Sequence, residues 1–201
     1  RLGVDEHCFF GWHEGPRYWD PLLWQNGELR DDVTGRFGPD VYTEFLIDFM
    51  ERHRDQPFFA YYPMALSHAV SDDLDPHPPH GPNGRYMTYA EMMAELDKRV
   101  GQLVDAVDRM GLKNRTLIFF TSDNGTTKKN HIRHEGRKLI NEPEISSVIR
   151  GKSLVGQKGK LNDWGIRVPT LARWPGVVKA GSSTDILTDC AGLLPTFSEL
   201  G

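Results

Sequence analysis

The sequence predicts an α/β fold, a mostly parallel sheet flanked by helices, on three observations. Leu117-Ile118-Phe119-Phe120-Thr121 is a short apolar and β-branched run bounded by polar residues, the signature of a strand buried on both faces. Pro57-Phe58-Phe59-Ala60-Tyr61-Tyr62-Pro63-Met64 has a similar composition. Two amphipathic helical stretches precede these runs in turn, and the order helix, strand, helix, strand implies parallel pairing through crossover helices.

Each element has a local reason. Asn26-Gly27 between Leu22-Leu23-Trp24 and Leu29 is a two-residue hairpin signal, because a type I′ turn needs φ > 0 at both central positions. From Asp40 to Arg54, Val41, Phe45, Leu46, Phe49 and Met50 recur at i, i+4 and i+5, a core-facing helical stripe. From Tyr86, Tyr89, Met93, Leu96, Val100, Leu103, Val107 and Met110 alternate steps of four and three until Gly111 ends the helix. Residues 69–85, with several Pro, read as an ordered surface loop. Residues 126–160 show no sustained period and read as a long loop with one short helix. Ile166 to Gly176 contains a short strand and a turn, and a last helix starts near Leu194-Pro195-Thr196. No repeat, low-complexity tract or interdomain linker divides the 201 residues.

Composition excludes several classes of function. A net charge of −4 and a pI near 6.1 give no electrostatic case for nucleic acid or an anionic membrane. No apolar stretch approaches the roughly 18 residues of a membrane span. Cys8 and Cys190 lie far apart without a Cys-x-x-Cys, so zinc and redox chemistry are poorly supported, and buried thiols are expected rather than a disulfide. The chain starts at Arg1 without a charged-then-apolar leader, and both ends read as the interior of a larger domain.

Chemistry concentrates after the strand at 117–121. Asp123-Asn124-Gly125 falls at its carboxyl end, where open α/β sheets place their ligand sites. A carboxylate beside an amide supplies the hard oxygens that Ca²⁺ or Mg²⁺ requires, and Gly permits a sharp turn after them. A capped turn with no ligand is the plain alternative for this tripeptide. His68 follows the apolar run at 57–64 and, taken alone, reads more readily as a structural histidine than as a site residue. His77 and His80 have metal-like spacing, but a proline-rich loop does not hold them on one face. His131 and His134 follow the Asp-Asn-Gly motif and are candidates for substrate contact. Asn114-Arg115-Thr116 and Asn124-Gly125-Thr126 are formal glycosylation sequons, the second at the candidate site itself. The aromatic cluster at 9–24 suits the packing of a hairpin better than a sugar platform.

Taken together these segments resemble the sulfatase family of the alkaline-phosphatase-like superfamily, over nearly the whole chain. The resemblance rests on Phe59 to His68, on Tyr86 to Gly125, on Lys158-Gly159 followed by Gly165-Ile166-Arg167-Val168-Pro169 and Trp174-Pro175-Gly176, and on Leu193-Leu194-Pro195-Thr196. It implies an incomplete alkaline-phosphatase-like domain across residues 1–201 and a parent protein that hydrolyses a sulfate monoester, on a small molecule or a carbohydrate. It further implies Asp123 and Asn124 as metal ligands, the metal being Ca²⁺ rather than Mg²⁺. His68 would bind the sulfate or the leaving-group oxygen and Lys158 a sulfate oxygen, both counted as catalytic and substrate-binding, with Arg167 tying the loop down. An extracytoplasmic location also follows from the resemblance alone.

Three features depart from the family pattern. The Cys/Ser-x-Pro/Ala-x-Arg sequence from which formylglycine is made does not occur: Cys8 is followed by Phe-Phe-Gly and Cys190 by Ala-Gly-Leu. That nucleophile and the remaining metal ligands are expected upstream of Arg1. Asp163-Trp164 stands where Glu-Gly is usual, and Ala69-Val70 where a proline commonly follows the histidine. The rivals are a phosphate or phosphonate ester hydrolase of the same superfamily, and a non-catalytic truncated product.

Overall fold

A computed structural model describes residues 3–11, 15–69, 88–135, 138–141, 143–149 and 151–201, with the backbone alone for 131–135 and 138–140. Of the loop expected at 69–85, residues 70–85, with His77 and His80, lie outside the described residues, as does Tyr86. Strands β1 (Cys8–Phe10), β2 (Leu23–Gln25) and β3 (Glu28–Arg30) form an antiparallel sheet in that order. Asn26 (φ 53°) and Gly27 (φ 92°) make the expected two-residue turn between β2 and β3.

Helix α1 (Gly38–Arg52) follows, then α2 (Tyr89–Arg109). Thr88 opens α2 with a capping box: its hydroxyl accepts from Glu91 N–H while the Glu91 carboxylate accepts from Thr88 N–H. The face of α2 that is buried is rotated from the predicted stripe. Met92, Arg99, Ala106 and Val107 are buried, Leu96 and Leu103 are half-buried, and Met93 is exposed. A hydrophobic pattern does not score an arginine as core. Arg99 is buried because Asp40 (2.5 Å) and Glu95 (2.9 Å) neutralise it and it lies over the Phe37 ring. One core cluster gathers Tyr18, Leu23, Phe37, Val41, Tyr42, Leu66 and Met92; a second joins Met50, Ala106, Val107 and Leu112 where the helices' other ends meet. Tyr18 and Trp19 both pack against Phe37, so part of the aromatic cluster serves the core.

Strand β4 (Ile118–Thr121) pairs with β9 (Thr170–Arg173), with Ile118 opposite Arg173 and Thr121 opposite Thr170. This pair is antiparallel, as are all strand pairs among the described residues, which corrects the parallel crossover expected from element order. The 57–64 run joins no ladder among the described residues, and Phe59 and Tyr61 are exposed; an apolar extended segment becomes a strand only when a neighbour supplies hydrogen bonds. Residues 126–160 hold two hairpins rather than a loop with a helix: β5 (His131–Glu135) with β6 (Lys138–Asn141), and β7 (Ser146–Ile149) with β8 (Lys152–Val155). The exposed side chains of β7 show why no period was visible, since neither face meets the core. A one-turn helix α3 (Asp163–Ile166), unanticipated in the sequence, precedes β9, and a 3₁₀ turn (Cys190–Gly192) leads into α4 (Leu193–Leu200). Cys8 is half-buried and Cys190 exposed, both as free thiols, so the expectation of burial fails for Cys190. It lies in the exposed stretch 181–192, away from both clusters.

Candidate active site

The carboxyl end of β4 is fixed before it reaches its functional residues. Thr121 Oγ1 hydrogen-bonds Pro169 O (3.2 Å) and Thr170 Oγ1 (3.1 Å), and Ser122 Oγ donates to Asn124 O (3.0 Å), turning the chain through Asp123. Gly125 N–H donates to Gly165 O (2.8 Å), and a Cβ on Gly125 would stand 2.1 Å from Trp164 O, so only glycine permits this crossing. Lys158 N–H donates to Thr126 O (3.0 Å). Asn162 caps α3 through Trp164 and Gly165 N–H (3.2 and 3.1 Å) and reaches Gln157 Oε1 with its amide (2.6 Å). Three short segments, 122–128, 156–160 and 162–166, are thereby joined backbone to backbone. Tyr89 Oη, 3.2 Å from Thr126 Oγ1, attaches them to the first turn of α2.

His68 comes to this place on a separate turn. His68 N–H donates to Ala65 O (2.9 Å), closing residues 65–68. Its ring Nδ1 stands 2.9 Å from Ala69 O. A carbonyl only accepts, so Nδ1 carries the proton and Nε2 is the free lone pair of the neutral ring. Burial of the ring against surrounding protein lowers its pKa, as do the cations of Arg17 and Lys158, while the Ala69 carbonyl and the Asp123 carboxylate act in the opposite sense. The charges of Lys158 and Asp123 both reach the imidazole, so residues 68, 123 and 158 share one electrostatic neighbourhood despite their separation in sequence.

Asp123 and the side chain of Lys158 are exposed, and Asn124 is half-buried. Among the described residues Asp123 has one weak hydrogen bond, from Ser122 Oγ at 3.5 Å, and Lys158 has no ion pair. The Asp123 carboxylate and Asn124 amide are therefore uncommitted oxygen donors suited to a hard divalent cation. Two such oxygens are a fraction of the six to eight that a cation such as Ca²⁺ takes. No group of three or more His, Cys, Asp or Glu suited to a metal occurs among the described residues.

Arg167 does not tie the loop down, as had been expected. Its guanidinium is exposed and only 4.0 Å from Asp163 within its own turn, because the backbone crossings at Gly125 and Gly165 already hold that loop. Trp164 is half-buried and enters the site through its backbone carbonyl. The side chains of His131 and His134 lie outside the described residues. Arg17, buried and set over the Phe10 ring, contributes a charge at His68 that sequence reasoning missed, because it lies in a turn-rich segment with no periodicity.

Comparison with known proteins gives a consistent answer. The family model described as Sulfatase matches residues 6–201. Steryl-sulfatase of Rattus norvegicus is 32% identical over 158 residues, covering 76% of this chain and 24% of that protein. Arylsulfatase A of Bos taurus is 33% identical over 161 residues, covering 79% and 28%. N-acetylgalactosamine-6-O-sulfatase of Bacteroides thetaiotaomicron is 26% identical over 192 residues, covering 92% and 33%. A crystal structure of Ps i-CgsB in complex with k-i-k-neocarrahexaose superposes with a TM-score of 0.65 at 24% identity, covering 98% of this chain and 46% of that one, so the fold is shared. The chain spans about a quarter to a third of the length of the curated relatives it matches.

Proposed function

The chain belongs to the sulfatase family, and from that premise we propose that its complete protein is a sulfuric ester hydrolase, cleaving a sulfate monoester to an alcohol or phenol and sulfate. Residues 1–201 are then a partial catalytic domain supplying metal and sulfate contacts. The observation that carries this reading is the match of residues 6–201 to the Sulfatase family model; the lowering of the His68 pKa by Lys158 and the opposing effect of Asp123 support the residue assignments.

Each residue has a task that suits a sulfate ester. The Lys158 ammonium stabilises negative charge on a non-bridging sulfate oxygen, and more strongly as water is excluded. With Nδ1–H committed to Ala69 O, Nε2 of His68 is the atom that faces the ester oxygen. Burial first, and then the cations of Arg17 and Lys158, lower the pKa of the ring and favour its neutral form. An arriving sulfate anion offsets those cations, raises the proton affinity of Nε2 and lets an Nε2–H hydrogen-bond the departing oxygen. Asp123 and Asn124 are the residues that would hold a divalent cation, Ca²⁺ in preference to Mg²⁺, since both offer oxygen and leave the remaining shell open. Bound there, it would supply Lewis-acid stabilisation of charge on the sulfate. Membership of the family also implies a formylglycine, and no Cys/Ser-x-Pro/Ala-x-Arg precursor lies within these 201 residues.

The substrate class is a sulfate ester on a small molecule or a carbohydrate. The relatives include a steryl-sulfatase and an N-acetylgalactosamine-6-O-sulfatase, which support both kinds. No described helix is long and apolar enough to cross a membrane, and an extracytoplasmic location is part of the proposal. The test is turnover of p-nitrophenyl sulfate and p-nitrophenyl phosphate by the full open reading frame that contains this chain. His68→Ala and Lys158→Ala should each lower kcat for the sulfate by about a hundredfold or more. Chelation should abolish activity, with Ca²⁺ restoring it better than Mg²⁺. Preferential cleavage of the phosphate would favour the phosphoester rival, and unchanged kcat in both variants would remove the residue assignments.

A further inference from the structure

We propose that Tyr18 is the positioning residue for His68, holding both ends of the turn that presents the imidazole. This rests on the assignment of His68 to the leaving-group oxygen made above. Tyr18 is 2% exposed, and its hydroxyl stands 2.8 Å from Ala65 O and 2.7 Å from His68 O. One O–H carries one proton, so the hydroxyl donates to either carbonyl in turn and keeps both within a single hydrogen-bond radius. Ala65 O also accepts from His68 N–H, so the two carbonyls at the ends of this turn meet at one phenol.

The phenol is itself held at a fixed point. Tyr18 O accepts from Gly38 N–H at the start of α1, and Tyr42 Oη, one turn further along the helix, donates to Arg17 O (3.3 Å). A Cβ on Gly38 would come within 2.1 Å of Arg17 O, so the 17–18 backbone lies directly on the helix. The Tyr18 ring packs on Phe37 at 6.3 Å between centroids. The path thus runs from a rigid helix end through a buried ring to the backbone oxygen of His68. Without it, the turn's own bond from His68 N–H to Ala65 O and the packing of Ala65 and Leu66 in the core with Val41 and Tyr42 would remain, but the His68 carbonyl would lose its hydrogen bond to the element anchored on α1. A misplacement of a reacting group by about 1 Å is enough to cost a large factor in rate.

Tyr18→Phe removes the hydroxyl and keeps the ring in the core. In the full open reading frame it should lower kcat for an aryl sulfate about tenfold, with KM little changed, the size expected from one lost buried hydrogen bond. The decisive measurement is the double-mutant cycle with His68→Ala, with thermal unfolding of each variant alongside. Tyr18→Phe in the His68→Ala background should cause no further loss of kcat. An equal loss in both backgrounds would show a general structural role and overturn the inference while leaving His68 in place. Full activity of Tyr18→Phe in the wild-type background would also overturn it. Full activity of His68→Ala alone would overturn the assignment of His68 first, and the inference with it.

Discussion

At the scale of single residues, two positions show how surroundings decide what a residue can do. Glu6 accepts from both Arg52 guanidinium nitrogens (2.8 and 2.7 Å) and lies 3.0 Å from His53 Nε2. Arg52 first and His53 second hold its carboxyl down to about 2, against the opposing effect of burial. A carboxyl lowered on folding adds stability that is complete above its ordinary value of 4.5 and is lost as pH falls towards about 2. Glu6→Gln should therefore be less stable than wild type near neutral pH, with the gap in unfolding midpoint closing across that window; a gap independent of pH would mean the carboxylate charge is not what matters. At the site, Gly125 is the residue with least freedom. Gly125→Ala forces a methyl into Trp164 O and should destabilise the protein by about 2 kcal/mol, read by chemical denaturation, by pushing the Asp123 turn away from the Lys158 loop.

At the scale of elements, the α1–α2 interface is where charge decides packing. Arg99 is almost wholly buried against Asp40 and Glu95, and its Nε and Nη1 have no hydrogen-bond partner among the described residues. Removing a buried partner leaves carboxylates uncompensated, so Arg99→Ala should cost about 3 kcal/mol, less if water reaches the half-exposed Asp40. Thr88→Ala removes half of the capping box and should cost about 1 kcal/mol. The two sites lie about three turns apart on α2 and share no partner, so the double variant should lose about the sum in a denaturant titration. This helix was legible in outline from its sequence, through the apolar steps of three and four and the Gly111 stop (φ 74°). Its buried face was not, because an apolar tally has no means of placing an ion-paired arginine in the core.

At the scale of the whole molecule, the surface carries more apolar area than its few clusters can shelter. Phe59 and Tyr61 stand out from the unpaired 57–64 run, Leu171 from β9, and Leu187 and Leu194 from the approach to α4 and its first turn. Apolar side chains presented together in this way drive association in water. The 201-residue chain by itself should associate with rising concentration in light scattering and bind an apolar dye, and it should not turn over aryl sulfates. A monodisperse monomer at tens of micromolar would refute the first expectation, and robust turnover the second.

The sequence by itself determined the family, the positions of α1, α2, β4 and the Asn26-Gly27 turn, and the candidates Asp123, Asn124, His68 and Lys158. Each of these is encoded locally, in a periodicity, a turn requirement or a run of motifs in fixed order. Tertiary structure decided the rest: the antiparallel pairing of β4 with β9, the hairpins within 126–160, the burial of Arg99 and the support of His68 by Tyr18. Those depend on contacts between residues far apart in the chain, 47 and 50 positions in the case of Tyr18. No local window contains both partners, and only folding brings a phenol in the β1–β2 connection under the carbonyl of a histidine.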